Sequence, residues 1–305
     1  MTDRTAEQSE HFARIDPLLP PVTDLPEGEH LTAVLPDGRE VHGVLYRAVY
    51  GAGSPESLWA ARENWELTPL IGNTGAEGMS ALLGALRRRL DREPPTQDSA
   101  CAVAWPSRDA EATRALLDHG LQPLNALAVR PNRPAPEVDV PGVLVRRARP
   151  VDEEEIIALR MNELRYSALV GPNVVRENAT ELITAEVRRG LVFGGRTWIA
   201  ESGGAAVGLA SCGWTTPAAG SSIAGRLGWG RWGYVGTLSV IAPARGGGVG
   251  QALMSVAHDQ LNLDDVEGTF LFYSPTNPLS PVFWHRQGYR PLWTMWEIRP
   301  ASALR

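Results

Sequence analysis

The 305-residue sequence contains no lysine, so all 29 of its basic residues are arginine. That absence removes every mechanism that needs an ε-amine: P-loop phosphate binding, Schiff-base and PLP chemistry, Ser-Lys dyads and the kinase phosphate-binding lysine. Cysteine is nearly absent too. Cys101 and Cys212 are too few and too far apart for a disulfide framework or a cysteine metal site. The six histidines show no metal-ligand spacing, so no metal is expected. No uncharged apolar run approaches the ~18 residues of a membrane span, and the polar start MTDRTAEQSE has no signal-peptide core. A cytoplasmic protein without membrane partners is the expectation. The 35 acidic residues leave a net charge of −6, which argues against nucleic acid as a partner.

What remains is a chain of globular composition, 43% hydrophobic and 21% charged. Residues 1–28 are polar and proline-rich and read as an extended lead-in. LTAVL and EVHGVLYRAVY around Pro36-Asp37-Gly38 read as a hairpin. Leucines at 82, 83, 86 and 90 have the spacing of an amphipathic helix. SACAVAW reads as a strand, AEATRALLDHG as a helix ending on Gly120, and LNALAVR as a strand. Residues 132–142 are proline-rich and aperiodic, and read as a linker. Beyond it come a strand, a helix that Asp152 and Glu155 open as a capping box, and a second helix over roughly 174–189. A hairpin across Gly203-Gly204 follows, then strand, helix, strand, helix and final strand. The halves repeat: Gly120 aligns with Gly288 and Pro123 with Pro291, each pair 168 residues apart.

The stretch TLSVIAPARGGGVGQALMSVA carries the chemistry. A strand ends at Val240, and Arg245, Gly246, Gly247, Gly248, Val249, Gly250 and Gln251 lead into a helix. Backbone without Cβ approaches a ligand closely, its amides point ahead of the helix, and the helix start and Arg245 add positive charge. This is a diphosphate cradle. Walker A needs lysine, and the dinucleotide fingerprint fails because Gln251 or Leu253 stands where the third glycine belongs. A tight turn without a ligand remains open on the glycines alone.

A second segment weighs against the bare turn. Arg245, Gly248 and Gly250 match the acyl-CoA motif [Q/R]-x-x-G-x-[G/A], and Asn277, Ser280, Trp284, Arg286, Gly288 and Tyr289 follow the pattern N-x-x-A-x-x-x-Y-x-K-x-G-F. Over residues 143–299 the sequence resembles the GNAT (GCN5-related) N-acetyltransferase superfamily. The resemblance implies an α/β (α+β) chain of two GNAT-like domains, each a mixed, mostly antiparallel sheet flanked by helices. Their limits would be 29–131, a degenerate copy, and 143–305, the acetyltransferase domain. It implies acetyl-CoA as co-substrate in a V-shaped opening between the strand ending at Val240 and the next strand. The main chain of Leu238, Ser239 and Val240 would hold the pantetheine, with residues 245–251, Asn277, Ser280 and Trp284 around it. The Val240 amide would polarise the thioester carbonyl.

Here the sequence departs from the family. Trp284 stands where a phenol usually protonates the leaving thiolate, and Tyr234 where a glutamate base often sits. Strand alternation would put Tyr234 on the face of Val240. Tyr234 and Tyr273 are therefore the catalytic candidates. His285 is expected to be exposed, and Cys212 to be a small apolar strand residue. GWGRWGYV, with Trp229, Trp232 and Tyr234, reads either as a buried aromatic edge or as a wall of the acceptor pocket. The expected activity is transfer of an acetyl group to a primary amine of a small molecule or peptide, by a monomer or homodimer. The alternative is a non-catalytic acyl-CoA-binding sensor or interaction module.

Overall fold

The computed structural model describes residues 2–23 and 25–305. The first half runs α1 (Thr2–Ile15), β1 (Glu29–Val34), β2 (Glu40–Val49), β3 (Glu63–Leu70), α2 (Gly75–Arg92), β4 (Ser99–Pro106), α3 (Ala110–Asp118) and β5 (Gln122–Pro131). The second runs β6 (Val143–Arg147), α4 (Glu153–Val170), α5 (Ala179–Val192), β7 (Arg196–Ser202), β8 (Ala205–Thr215), β9 (Arg231–Val240), α6 (Val249–Leu261), β10 (Val266–Tyr273), α7 (Ser280–Arg286) and β11 (Arg290–Ile298). The mixed, mostly antiparallel reading holds. Among the described residues only β3 with β4 and β9 with β10 pair in parallel.

Among the described residues the strands form one sheet, in the order β1-β2-β3-β4-β11-β5-β10-β9-β8-β7-β6. Its middle holds a reciprocal exchange. β5, the last strand of the first half, lies beside β10, while β11, the last of the second, lies beside β4. The two exchanged strands also pair with each other. The core follows the exchange: Leu292, Trp293 and Trp296 of β11 pack in one cluster with Leu82, Leu86 and Trp105. Each such large apolar side chain contributes ~1.5–3 kcal/mol by leaving water, so neither half is self-contained.

The repeat is visible in the backbone. Parallel pairing stops at Leu67↔Val103 in the first half and at Val235↔Leu271 in the second, equivalent positions in the repeat. Beyond them each strand pair splays. Gly120 and Gly288 end α3 and α7 at φ 88° and 89°, a conformation that favours glycine.

In the first half the splay is filled by the chain itself. Gln8 Nε2 donates to Pro69 O at 2.9 Å, and its Oε1 accepts from the Ile71 and Gly72 amides at 2.8 and 3.2 Å. One turn on, Phe12 sits edge-on between Trp105 and Trp293, at 5.4 and 5.5 Å between ring centres. Below it, buried Asp16 is bound by Arg290. Residues 2–15 are thus a packed helix and not the extended lead-in expected. Its buried side is made by Gln8 and Phe12 at i, i+4, too few apolar residues to register in a polar segment.

Two further readings are corrected. Asp152 caps no α4 amide; its carboxylate turns back to accept from Arg149 N at 2.6 Å and pairs with Arg146 at 2.8 Å. The ion pair outcompetes the capping box with Glu155. The second helix starts at Ala179, five residues later than expected.

Candidate active site

Where β9 and β10 part, the gap opens into a cavity of about 930 Å³. That volume lies near the top of the roughly 300–1,000 Å³ range of small-molecule sites. Of the residues singled out in the sequence, Tyr234, Leu238, Ser239, Val240, Arg245, Gly246, Gly248, Val249, Gly250, Gln251, Tyr273, Asn277, Ser280 and Trp284 all line it. Gly247 is not among them. Nor are Trp229, which is 78% exposed, and Trp232, whose indole donates to Gly228 O at 3.0 Å. Of the aromatic run only Tyr234 reaches the cavity.

A bulge decides which way the β9 side chains face. Val235 pairs with Cys212 and Thr237 with Ser211, leaving Gly236 as an extra residue. Alternation therefore slips by one. Val235, Leu238 and Val240 pack with Leu271, Tyr273 and Trp284 beneath α6 and α7. Tyr234 lies on the other face, stacked on Phe270 at 4.9 Å between centres. On that face Ser239 Oγ donates to Leu159 O of α4 at 2.9 Å. The expectation that Tyr234 and Val240 share a face fails because of the bulge. Tyr234 and Tyr273 border one cavity from opposite faces of the sheet.

The strand edge is prepared for a ligand. The Ile241 amide bonds Val207 O of β8 at 2.9 Å. Successive strand amides point to opposite edges, so the Val240 amide faces the gap. Eight residues then bridge Val240 to α6, against four between Leu70 and α2 in the first half. Gly248 is the α6 N-cap at φ 86°, and no side chain caps the helix. The first α6 amides are thus free to meet an anion. A Cβ at Gly246 would meet nothing within 4 Å, and one at Gly250 would meet the Phe283 ring at 3.3 Å. Arg245 lines the cavity with its Nε donating to Val240 O at 3.0 Å and its guanidinium 5.0 Å over the Tyr166 ring. Asn277 is occupied locally: its Oδ1 accepts from the Leu279 and Ser280 amides at 2.9 and 3.3 Å and so starts α7. The turn, its open amides and Arg245 fit a diphosphate.

Burial raises the phenol pKa of both Tyr234 and Tyr273, so each keeps its proton at neutral pH and can act as an acid but not as a base. Trp284 is packed edge-on against Phe283 and Tyr289, at 4.9 and 5.5 Å. His285 is exposed, with its ring 6.3 Å from that of Tyr273. Cys212 is buried, its thiol pushed up to about 12 by that burial, and is inert.

Several lining residues escaped the sequence reading. Glu163, Tyr166 and Ser167 come from α4, and the ion pair of Arg160 with Glu186 (3.1 Å) from α4 and α5. Trp59 and Asn125 come from the first half. Asn125 reaches the cavity because its strand, β5, is the exchanged one. No short motif marks these residues, since each arrives through tertiary placement. Among the described residues, no three His, Cys, Asp or Glu side chains gather to hold a metal, and no helix is long and apolar enough to cross a membrane.

No protein-family model matches the chain, and no curated protein matches it. Solved structures do. A GCN5-related N-acetyltransferase from Sphaerobacter thermophilus aligns over 92% of this chain and 83% of its own, at 16% identity and TM-score 0.57. A GCN5-related N-acetyltransferase from Kribbella flavida aligns over 99% of this chain and 97% of its own, at 15% identity and TM-score 0.44. The Sphaerobacter likeness shows the fold.

Proposed function

We propose that this chain, which has the fold of the GCN5-related N-acetyltransferases, moves an acetyl group from acetyl-CoA to a primary amine of a small molecule or peptide by direct attack. One observation carries the reading. The splay of β9 from β10, the Val240 amide facing it and the uncapped glycine-rich start of α6 all border a single cavity. The α6 amides and Arg245 hold the diphosphate of the co-substrate, and residues 238–240 its pantetheine arm. The Val240 amide donates to the thioester carbonyl and stabilises the charge that grows on its oxygen. Holding amine and carbonyl in one cleft supplies much of the rate by proximity.

Tyr273 stands on the α6 face with Leu238, Val240 and Trp284, which supports it as the acid for the departing sulfur. A thiol with a pKa of about 8.5 also leaves tolerably as its anion. The test is release of free CoA across a panel of primary amines, with the amide product identified by mass. Tight CoA binding without release by any amine would overturn the reading. One observation favours that second outcome, an acyl-CoA-binding sensor: an indole, Trp284, packs where the family's phenol would stand.

A further inference from the structure

Tyr234 occupies the family's base position and cannot act as a base, because burial keeps its phenol protonated. The cavity supplies a carboxylate from elsewhere. Ser239 Oγ pins α4 to β9 through Leu159 O at 2.9 Å. Glu163 is four residues further along the same side of α4, about 6 Å along the helix axis. That places it beside the main chain that faces the gap, on the sheet face of Tyr234. It lines the cavity partly buried, and its Oε1 accepts from the Ser167 hydroxyl at 2.6 Å. The other carboxylate of this wall, Glu186, is held by Arg160 at 3.1 Å.

We propose that Glu163 is the proton acceptor for the attacking amine, and that the acceptor therefore enters as its ammonium ion. The inference rests on the acyltransfer reading above. The ammonium gives one proton to the Glu163 carboxylate, and the freed lone pair attacks the thioester carbon. The C–N bond forms, the C–S bond breaks, and the thiolate takes a proton on the α6 face. The nitrogen sheds its second proton to solvent as the amide forms, so one ammonium ion and one thioester give one amide, one thiol and one proton. Acid and base then act from opposite faces of the sheet at the splay, and the bulge at Gly236 is what divides them.

Burial raises the Glu163 pKa, while Ser167 and Arg160 pull it down and Glu186 pushes it up. Tyr234 from β9, Tyr166 from α4 and Cys212 from β8 face this wall with Arg160 and Glu186, as does Arg245, whose guanidinium lies 5.0 Å over the Tyr166 ring. A raised carboxyl is a stronger base, closer to the operating pH.

The experiment is the pH profile of CoA release by the full chain and by two variants, with CoA affinity measured by calorimetry alongside. Glu163→Gln should lose about 10²-fold in kcat/KM at neutral pH, keep its CoA affinity, and regain rate as rising pH supplies free amine. Ser167→Ala should shift the acid limb of the profile to higher pH and leave the alkaline plateau unchanged. A Glu163→Gln variant that follows the parent at every pH, or falls by the same factor at every pH, overturns the assignment. So does an acid limb that Ser167→Ala does not move, a result that still decides the matter if Glu163→Gln fails to fold. If the parent binds CoA yet releases none with any amine, the acyltransfer reading fails and this inference with it. If the parent turns over and the variants match it, only this inference fails.

Discussion

Replacing Phe12 with alanine tests whether the first cleft is closed by the chain's own N-terminal helix. Phe12 is 3% exposed and lies edge-on between Trp105 and Trp293, so the substitution empties a site with rigid aromatic walls. Truncating a buried phenylalanine costs ~3–5 kcal/mol. Two aromatic pairs are lost with it, each worth ~0.5–1.5 kcal/mol beyond burial, which places the expectation in the upper half of that range. A chain of ordinary stability, ~5–15 kcal/mol, would lose a large share. Among the described residues α1 contributes nothing to the lining of the second cleft, so the folded fraction should bind acyl-CoA as before. Urea unfolding followed by tryptophan fluorescence should give a lower midpoint at unchanged slope. Calorimetry should give one site per chain, because Gln8 occupies the first splay and the short turn before α2 has no counterpart of the 245–250 cradle. A loss below ~1 kcal/mol, the size of an average substitution, would refute the packing argument. Two sites per chain would refute the account of the first cleft.

Gly250→Val should abolish CoA binding in a folded protein, since its methyls would crowd Phe283 and Leu238 where the cradle must stay open; unchanged affinity by calorimetry would show the cradle is misread. Gly248→Val is the poorer probe, because φ 86° strains any branched side chain whatever binds there. Trp284→Tyr should keep CoA affinity and gain rate, up to about 10²-fold where the phenol meets the sulfur; measured beside Tyr273→Phe and Tyr234→Phe, a flat series would show that no side-chain acid limits turnover. His258, buried against the Tyr289 hydroxyl at 2.9 Å, has its pKa lowered to about 3 by burial, with Arg130 and Arg133 nearby. The unfolded chain binds this proton below about 6.5 and the folded chain does not, so stability should fall by ~1 kcal/mol per pH unit on acidification through that window. His258→Phe should flatten the slope, as followed by urea midpoints from pH 7 to 4; parallel curves would sink the assignment.

The legible parts of this molecule are those with a local cause. The hairpin at residues 31–50, the leucine face of α2 and the glycines that end α3 and α7 each announce themselves within a few residues. The glycine-rich turn at residues 245–250 is equally local, but the glycines alone leave a tight turn without a ligand open, and it is the segment 277–289 that weighs against it. β3 went unread because Glu63, Asn64 and Glu66 interrupt its apolar alternation. They belong there because buried Glu63 accepts from the Trp65 indole at 3.1 Å and pairs with Arg47 at 2.7 Å. Residues 2–15 read as an extended lead-in and not as α1 because the buried face of that helix is two residues wide. The facing of Tyr234 was misread because alternation assumes a regular ladder, and a one-residue bulge is invisible in a strand whose glycines are already frequent.

The strand exchange was beyond the reach of any local pattern, and it is what makes the first half matter to the site. A repeat with one filled cleft invites the view that its first copy is ballast. The sheet order argues otherwise. β10 needs a neighbour on the side away from β9, and that neighbour is β5, paired with it from Gly268↔Pro131 to Tyr273↔Ala126. Without β5 the strand carrying Phe272 and Tyr273, which line the cavity, would be an open edge. β5 closes that edge and sets Asn125 into the wall one residue beyond the last pair. Trp59 arrives from the same half, on the segment whose Leu58 carbonyl accepts from Val174 N at 2.9 Å, just after α4. The half whose own splay is filled by Gln8 thus supplies part of the boundary of the cavity in the other, and the two are joined in one sheet.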